Sequence, residues 1–192
     1  MEDDEGQIEV TRTYLQMTSP NQLRPFRLAD GCARIDQAHE CPSSFFRYLY
    51  REVGRAYHWV DRLGWTDNEI LEYLASPNVS LWVMYIEGSP AGYFELSKSG
   101  DDSTEIAYFG LLGEFLGRGL GKHLLTEAVE RAWQTGASQV WLHTCTLDDP
   151  AALPNYLKRG FEPFKVEKYF TALGPDERRN RSESPADPLP AF

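Results

Sequence analysis

A cluster of glycines between a strand-like run and a helix-like run constrains this chain more than any other feature. The segment from Leu116 to Leu125 reads LGRGLGKHLL. Glycine permits backbone conformations that are closed to other residues and leaves no side chain in the way. A helix that begins here presents free backbone N–H groups and the positive end of its dipole. The segment therefore predicts a phosphate-binding turn at the start of a helix.

Two common nucleotide motifs do not fit this segment. A Walker A loop requires Ser or Thr after its lysine, but His123 follows Lys122, and Leu116 stands where the loop needs a glycine. In a Rossmann fingerprint the third glycine would fall on Lys122 or Leu124, depending on the starting glycine. Taken alone, the segment fits a purely structural turn as well as a ligand site.

Hydrophobic periodicity and turn residues place the other elements. Ser43 or Ser44 is expected to cap a helix that ends near Gly54, and Thr66 with Glu69 forms a capping-box pattern for a second helix closed by Pro77. Residues 19–42 are expected to be loop with room for one short element. The strands are expected at 8–18, 79–87, 91–97, 104–112, 138–146 and 161–171, with a turn at 88–90 and further helices from the glycine segment to about 135 and around 150–159.

This order predicts an α+β (mixed α/β) fold. An antiparallel meander is followed by a βαβ unit with two parallel strands, then by a helix and a final strand. We expect one domain over residues 8–172, with a disordered acidic arm at 1–7 and a flexible proline-rich tail at 173–192.

Charge and composition narrow the partners. A net charge of −10 argues against nucleic acid; it fits an amine substrate only weakly and is explained as well by solubility. No apolar run approaches the roughly 18 residues that span a bilayer, so no membrane association is expected. The three cysteines lack metal-site spacing, so we expect no metal and a reducing, cytoplasmic setting.

Two motifs in order resemble the GNAT superfamily of acyl-CoA-dependent N-acyltransferases. The first is Gln/Arg-x-x-Gly-x-Gly/Ala, which Gly119 and Gly121 match, although Leu116 replaces the usual Gln or Arg. The second is Tyr-x-x-x-Gly-Phe, matched by Tyr156 to Phe161 about 35 residues later. Ala152 also matches an upstream Asn-x-x-Ala segment in which Asp149 replaces the Asn. The resemblance covers about residues 8–172.

The resemblance implies an acetyl-CoA co-substrate. Its pyrophosphate is expected on the backbone amides of the glycine segment, with added positive charge from Arg118 and Lys122. The pantetheine arm is expected along the end of the preceding strand, in a slot where two parallel strands splay apart. The implied binding residues are Leu111, Leu112, Gly113, Gly117, Arg118, Gly119, Leu120, Gly121 and Lys122.

The resemblance also implies the residues that move protons. Tyr156 is the candidate donor to the departing thiolate, unless it is only a core tyrosine packed on Phe161. Glu105 coincides with the catalytic glutamate of some family members and is the first candidate base; His143 is the second. Each could instead be structural, as a solvent-facing strand glutamate and a packed core histidine. Cys145 leaves open an acyl-enzyme route.

The acceptor side is expected from residues 43–75 and the hairpin. This region is rich in aromatic residues that bind cations or flat rings, or that simply form core or a homodimer contact: Tyr48, Tyr50, Tyr57, His58, Trp59 and Trp65. The function expected is N-acetyl transfer to a small-molecule or amino-acid-like amine. Acetylation of a protein N-terminus or lysine, and a non-catalytic acyl-CoA-binding module, remain the alternatives.

Overall fold

The computed structural model describes residues 7–29 and 31–172, and within them it has seven strands and four α-helices. The expected tail at 173–192 and all of the expected arm except Gln7 lie outside the described residues; Gln7 begins the first strand. The elements in chain order are β1 (Gln7–Met17), β2 (Arg34–Gln37), α1 (Ser43–Gly54), α2 (Asp67–Leu74), β3 (Val79–Ile86), β4 (Ser89–Lys98), β5 (Ser103–Leu111), α3 (Leu120–Gln134), β6 (Gln139–Cys145), α4 (Ala152–Arg159) and β7 (Glu162–Ala172), with 3₁₀ turns at Pro20–Gln22 and Gly113–Phe115.

All seven strands form one mixed sheet in the order β2-β3-β4-β5-β6-β1-β7. The expected antiparallel meander is β3-β4-β5, and β5 and β6 are parallel with α3 between them in the chain, as predicted. The expected α+β class is therefore confirmed. Strand β1 lies between β6 and β7 and is antiparallel to both, a placement that local sequence patterns do not encode.

The sheet carries a separate core on each face. One core lies under α3 and includes Met84 and Phe94; the other lies under α1 and α2 and includes Val83 and Tyr93. Because successive side chains of a strand point to opposite faces, these neighbours place the two cores on opposite sides. Each functional side chain can thus be assigned to the α3 face or to the α1/α2 face.

Three local predictions were wrong. Residues 19–42 contain two short elements, since β2 is a four-residue edge strand with alternating exposure, too short for a periodic signal. Helix α1 begins at Ser43 with Pro42 at its N-cap and no side-chain cap. The hairpin turn is Glu87-Gly88, both with positive φ, so Ser89 and Pro90 already belong to β4. The capping box of Thr66 and Glu69 is present as expected.

None of the helices among the described residues is long and apolar enough to cross a membrane.

Candidate active site

The two parallel strands of the sheet separate after three residue pairs. Strand β5 pairs with β6 at Ser103, Thr104 and Glu105, and the last pair is Glu105 with Trp141. Beyond this point no residue of β5 pairs with β6, so the β6-facing N–H and C=O groups of β5 are left without a strand partner. A register shift opposite Glu95 and Leu96 adds a bulge to β5 at the same place. The result is a slot through the sheet.

A cavity of about 850 Å³ occupies this slot and its two mouths. Its walls come from the end of β5, the glycine segment, β6, the start of α4, and the connection between α1 and α2. Of the sequence-predicted residues, the following line it: Glu105, Leu111, Gly117, Gly119, Leu120, Gly121, Lys122, His143 and Tyr156.

Three predicted residues lie off the cavity wall. Leu112 is buried in the core under α1 and α2, and its N–H donates to the carbonyl of Ala91 at 2.9 Å. Gly113 is exposed in the 3₁₀ turn, and Arg118 is exposed with its guanidinium 5.2 Å from the ring centre of Phe115. Leu116, the position that departs from the family motif, does line the cavity.

The glycine segment forms an uncapped helix start that suits a pyrophosphate. Gly119 is the N-cap of α3 with a φ of 78°, and it has no side chain to satisfy the first N–H groups of this 15-residue helix. Gly117 also has a positive φ (73°), and a Cβ atom at either glycine would project into open space. Lys122, in the first turn, adds a cation on the wall. Free amides, the helix dipole and an adjacent cation together fit a pyrophosphate group.

Glu105 and His143 meet at the vertex of the slot. The Nδ1 atom of His143 lies 3.5 Å from Oε1 of Glu105, and both side chains are partly exposed to the cavity. Thr104 is hydrogen-bonded to Thr135 at the C-cap of α3, so its neighbour Glu105 points to the opposite, α1/α2 face. The two candidate bases that the sequence left as alternatives therefore form a pair.

Tyr156 reaches the same cavity from the α3 face. Its side chain is 7% exposed and packs edge-on against Phe109 and Phe161 in the core under α3. Burial, with the nearby negative charge of Asp148, raises the pKa of the Tyr156 phenol above its usual range. The hydroxyl therefore stays protonated at neutral pH.

Backbone packing explains the glycine four residues after Tyr156. Gly160 has a φ of 104°, and a Cβ atom there would lie 1.9 Å from the carbonyl oxygen of Gln22. The neighbouring carbonyl of Arg159 accepts a hydrogen bond from the N–H of Arg24 at 2.9 Å. No other residue fits this position, and the contact fixes the end of α4 that carries Tyr156.

The α1–α2 connection forms the wall on the other face. Its residues from Tyr57 to Arg62 line the cavity, whereas Tyr48, Tyr50 and Trp65 do not. The Tyr57 hydroxyl donates to Asp149 Oδ2 at 3.1 Å, and burial beside that carboxylate raises the pKa of Tyr57 to about 12. Asp149, which replaces the family's Asn, thus joins this connection to the start of α4.

The aromatic residues of this region already surround a cation of the protein itself. The guanidinium of Arg62 lies 4.2 to 4.8 Å from the ring centres of Tyr108, Tyr73 and Trp65. Its Nη1 donates to both carboxylate oxygens of the fully buried Glu95 at 2.8 Å. Tyr50 and Trp59 pack against Tyr108 beside it. These aromatics pack around the protein's own cation, as the structural alternative expected, although Trp59 and Tyr108 also line the cavity.

Sequence reasoning did not single out the residues that the N- and C-terminal strands add to the cavity. Arg12 of β1 and Tyr169 and Thr171 of β7 line it. Their contribution depends on β1 pairing with both β6 and β7, which is a long-range pairing without a local signal.

A slot between two parallel strands, with an uncapped helix start at one mouth and ionisable side chains inside, is an arrangement that fits an acyl-CoA-dependent acyltransferase. A family model described as the acetyltransferase (GNAT) family matches residues 39–161, well over half of the chain. The protein therefore belongs to the GNAT acetyltransferase family.

Solved structures of low sequence identity share this fold. A GCN5-related N-acetyltransferase from Kribbella flavida matches with a TM-score of 0.60 at 20% identity, covering 87% of this chain and 60% of that one. One from Sphaerobacter thermophilus has a TM-score of 0.61 at 18% identity, covering 87% and 53%. An acetyltransferase from Bacillus cereus has a TM-score of 0.53 at 23% identity, covering 69% and 79%. The chain thus spans only 60% and 53% of the first two proteins.

Proposed function

We propose that the protein transfers an acetyl group from acetyl-CoA to the primary amine of a small-molecule acceptor by direct attack. The observation that carries the proposal is the placement of Glu105 and His143 on one face of the slot and Tyr156 on the other. All three line one cavity because β5 and β6 separate at Glu105. The amine would approach from the α1/α2 face, and the donor would lie towards α3.

The glycine segment and β5 would hold the donor. Backbone amides from Gly117 to Lys122 would bind the pyrophosphate at the start of α3, and the unpaired edge of β5 would accompany the pantetheine arm. When bound, acetyl-CoA supplies an activated thioester. The N–H groups of β5 that lack a β6 partner are our candidates for stabilising the negative charge that develops on the thioester oxygen.

Proton transfer is assigned to the three side chains. The acceptor ammonium must lose a proton before it attacks, and the Glu105–His143 pair is placed to accept it, directly or through water. As the C–N bond forms and the C–S bond breaks, the Tyr156 hydroxyl would donate a proton to the departing sulfur, and the second proton lost by the amine nitrogen would restore that hydroxyl through water.

An acyl-enzyme on Cys145 is disfavoured. Burial and the negative charge of Asp148 raise the pKa of the Cys145 thiol, so less of it is present as thiolate at neutral pH. Only the thiolate is a good nucleophile. Direct attack by the amine needs no such intermediate.

A small acceptor is favoured over a protein segment. The α1–α2 connection from Tyr57 to Arg62 forms one wall of the cavity, and the Arg62–Glu95 pair and the Tyr57–Asp149 bond hold it down at two points. A wall held at two points leaves less room for an extended protein segment than for a small amine.

A panel of primary amines tests the proposal. The purified protein is given acetyl-CoA with each amine, and free CoA thiol is measured. We expect amine-dependent CoA release by the wild type and loss of that release in Glu105→Gln. Tight CoA binding without turnover on small amines or on peptides with free N-termini and lysines would instead indicate a non-catalytic module. Turnover on the peptides alone would move the acceptor class to proteins.

A further inference from the structure

One cation on the acceptor side of the cavity lacks an ion-pair partner. Four residues with permanently cationic side chains line the cavity: Arg12, Arg62, Lys122 and Lys158. Arg62 is paired with Glu95, and Lys122 and Lys158 lie on α3 and α4. Arg12 has no carboxylate within 4.0 Å among the residues that the structure describes, and its Nε is buried without a hydrogen-bond partner.

Arg12 lies on the same face of the sheet as the proposed base pair. It stands opposite Cys145 in the register of β1 and β6, and Tyr14, two residues on, stands opposite His143. Alternation along β1 puts Arg12 and Tyr14 on one face, where the Tyr14 ring lies 5.7 Å from the His143 ring. Arg12 is therefore the diagonal neighbour of His143, a spacing of roughly 7–8 Å between strands.

The protein holds this guanidinium in place without a direct ion pair, although the negative charge of Glu167 acts on it at longer range. Its Nη2 donates to the Tyr169 hydroxyl at 3.4 Å, and its Cζ lies 4.9 Å from the centre of the Tyr169 ring. Glu167 stands opposite Arg12 on β7, but its carboxylate is taken by Lys165 at 2.6 Å and by the Tyr14 hydroxyl at 2.7 Å. Asp148 accepts from Thr144 and from the backbone N–H of Cys145.

We propose that Arg12 binds a carboxylate of the acceptor, so that the acceptor is an amino acid with its amine and carboxylate on one small carbon skeleton. A guanidinium is a planar donor fork that matches a carboxylate, and that of Arg12 has no directly paired carboxylate among the described residues and a buried Nε without a hydrogen-bond partner. The amine of the acceptor would lie at Glu105 and His143, and its carboxylate would lie at Arg12. Residues of β5, β6 and β1 would thus bind the two ends of one molecule.

This inference rests on the proposed acetyl transfer, and its test separates the two. Amino acids are compared with their own amides as acceptors, in the wild type, in Arg12→Gln and in the control Lys168→Gln. Lys168 is an exposed cation paired with Glu9 outside the cavity, so its loss changes the net charge equally. We expect the wild type and the control to show a KM at least about tenfold lower for the preferred amino acid than for its amide. Arg12→Gln is expected to remove that difference while leaving the affinity for CoA unchanged.

A binding measurement keeps the test independent of turnover. Calorimetry with N-acetyl amino acids and their amides, in the presence of CoA, should show the same preference in the wild type and its loss in Arg12→Gln. If Arg12→Gln does not fold, Arg12→Lys, which keeps the charge without the fork, should show a reduced preference.

Acetylation of amines with no preference for the carboxylate would overturn the inference and leave the proposed function standing. A loss of CoA affinity in Arg12→Gln would also overturn it, because Arg12 would then belong to the donor site. If no amine is acetylated, the proposed function fails. If the wild type binds N-acetyl amino acids and their amides equally, the inference fails.

Discussion

The Nδ1 atom of His143 lies 3.5 Å from Oε1 of Glu105, at the point where the strands that carry them stop pairing. The contact joins two residues that sequence reasoning treated as rival bases. A carboxylate beside one ring nitrogen can orient the imidazole and leave the other nitrogen facing the cavity. The pair, rather than either residue alone, is our candidate for accepting the proton of the amine.

Replacing Glu105 with Gln should lower kcat/KM by about 10²- to 10⁴-fold, the usual contribution of a general base. The affinity for CoA should be unchanged, because Glu105 lies away from the glycine segment. Steady-state kinetics with a matched Glu72→Gln control on the exposed side of α2 would measure the effect. Glu105 would not be the base if Glu105→Gln kept the shape of the pH–rate profile and retained activity within twofold of the wild type.

Tyr156→Phe should reduce kcat well over tenfold while leaving CoA affinity nearly intact. The substitution keeps the ring packed against Phe109 and Phe161 and removes only the hydroxyl, so the fold should be retained. A loss of kcat and of kcat/KM together marks an interaction made in the transition state. Tyr48→Phe, at an exposed ring on α1, is the control. Normal turnover by Tyr156→Phe would make this tyrosine a core residue only.

The two ends of α3 offer a matched pair for the donor site. Gly119 and Gly136 have similar positive φ values (78° and 83°), and a Cβ atom at either would meet nothing within 4 Å. The positive φ should cost about 1–2 kcal/mol at both positions; the net loss should be smaller at Gly119, where a carboxylate meets the positive end of the helix dipole, than at Gly136, at the negative end. Gly119→Asp alone should abolish CoA binding in calorimetry, because its carboxylate would stand against the pyrophosphate. Equal CoA affinity in the two variants would place the donor elsewhere.

How far the sequence predicted this site depends on the range of the interactions involved. The glycine turn, the capping box of Thr66 and the meander were predictable because each rests on residues close in the chain. The meeting of Glu105 with His143 depends on the register of two strands on either side of α3, and the position of Arg12 depends on β1 lying between β6 and β7. Such pairings are decided by the packing of the whole sheet. The sequence left the role of the aromatic-rich region open for a similar reason, since the cation that these rings surround, Arg62, belongs to the protein itself.

Glu95→Gln should lower the free energy of unfolding by about 3–5 kcal/mol. The substitution leaves the buried Arg62 guanidinium without its counter-charge, and breaking one partner of a buried pair is strongly destabilising. Chemical denaturation would measure the loss.

The matched control is Glu9→Gln, which breaks the exposed pair with Lys168 and should cost less than about 1 kcal/mol. Combining Glu95→Leu with Arg62→Met should recover much of the stability, because an apolar pair leaves no charge unpaired. If Glu95→Gln costs no more than Glu9→Gln, the pair does not anchor the α1–α2 connection to β4, and this wall of the acceptor side loses its main support.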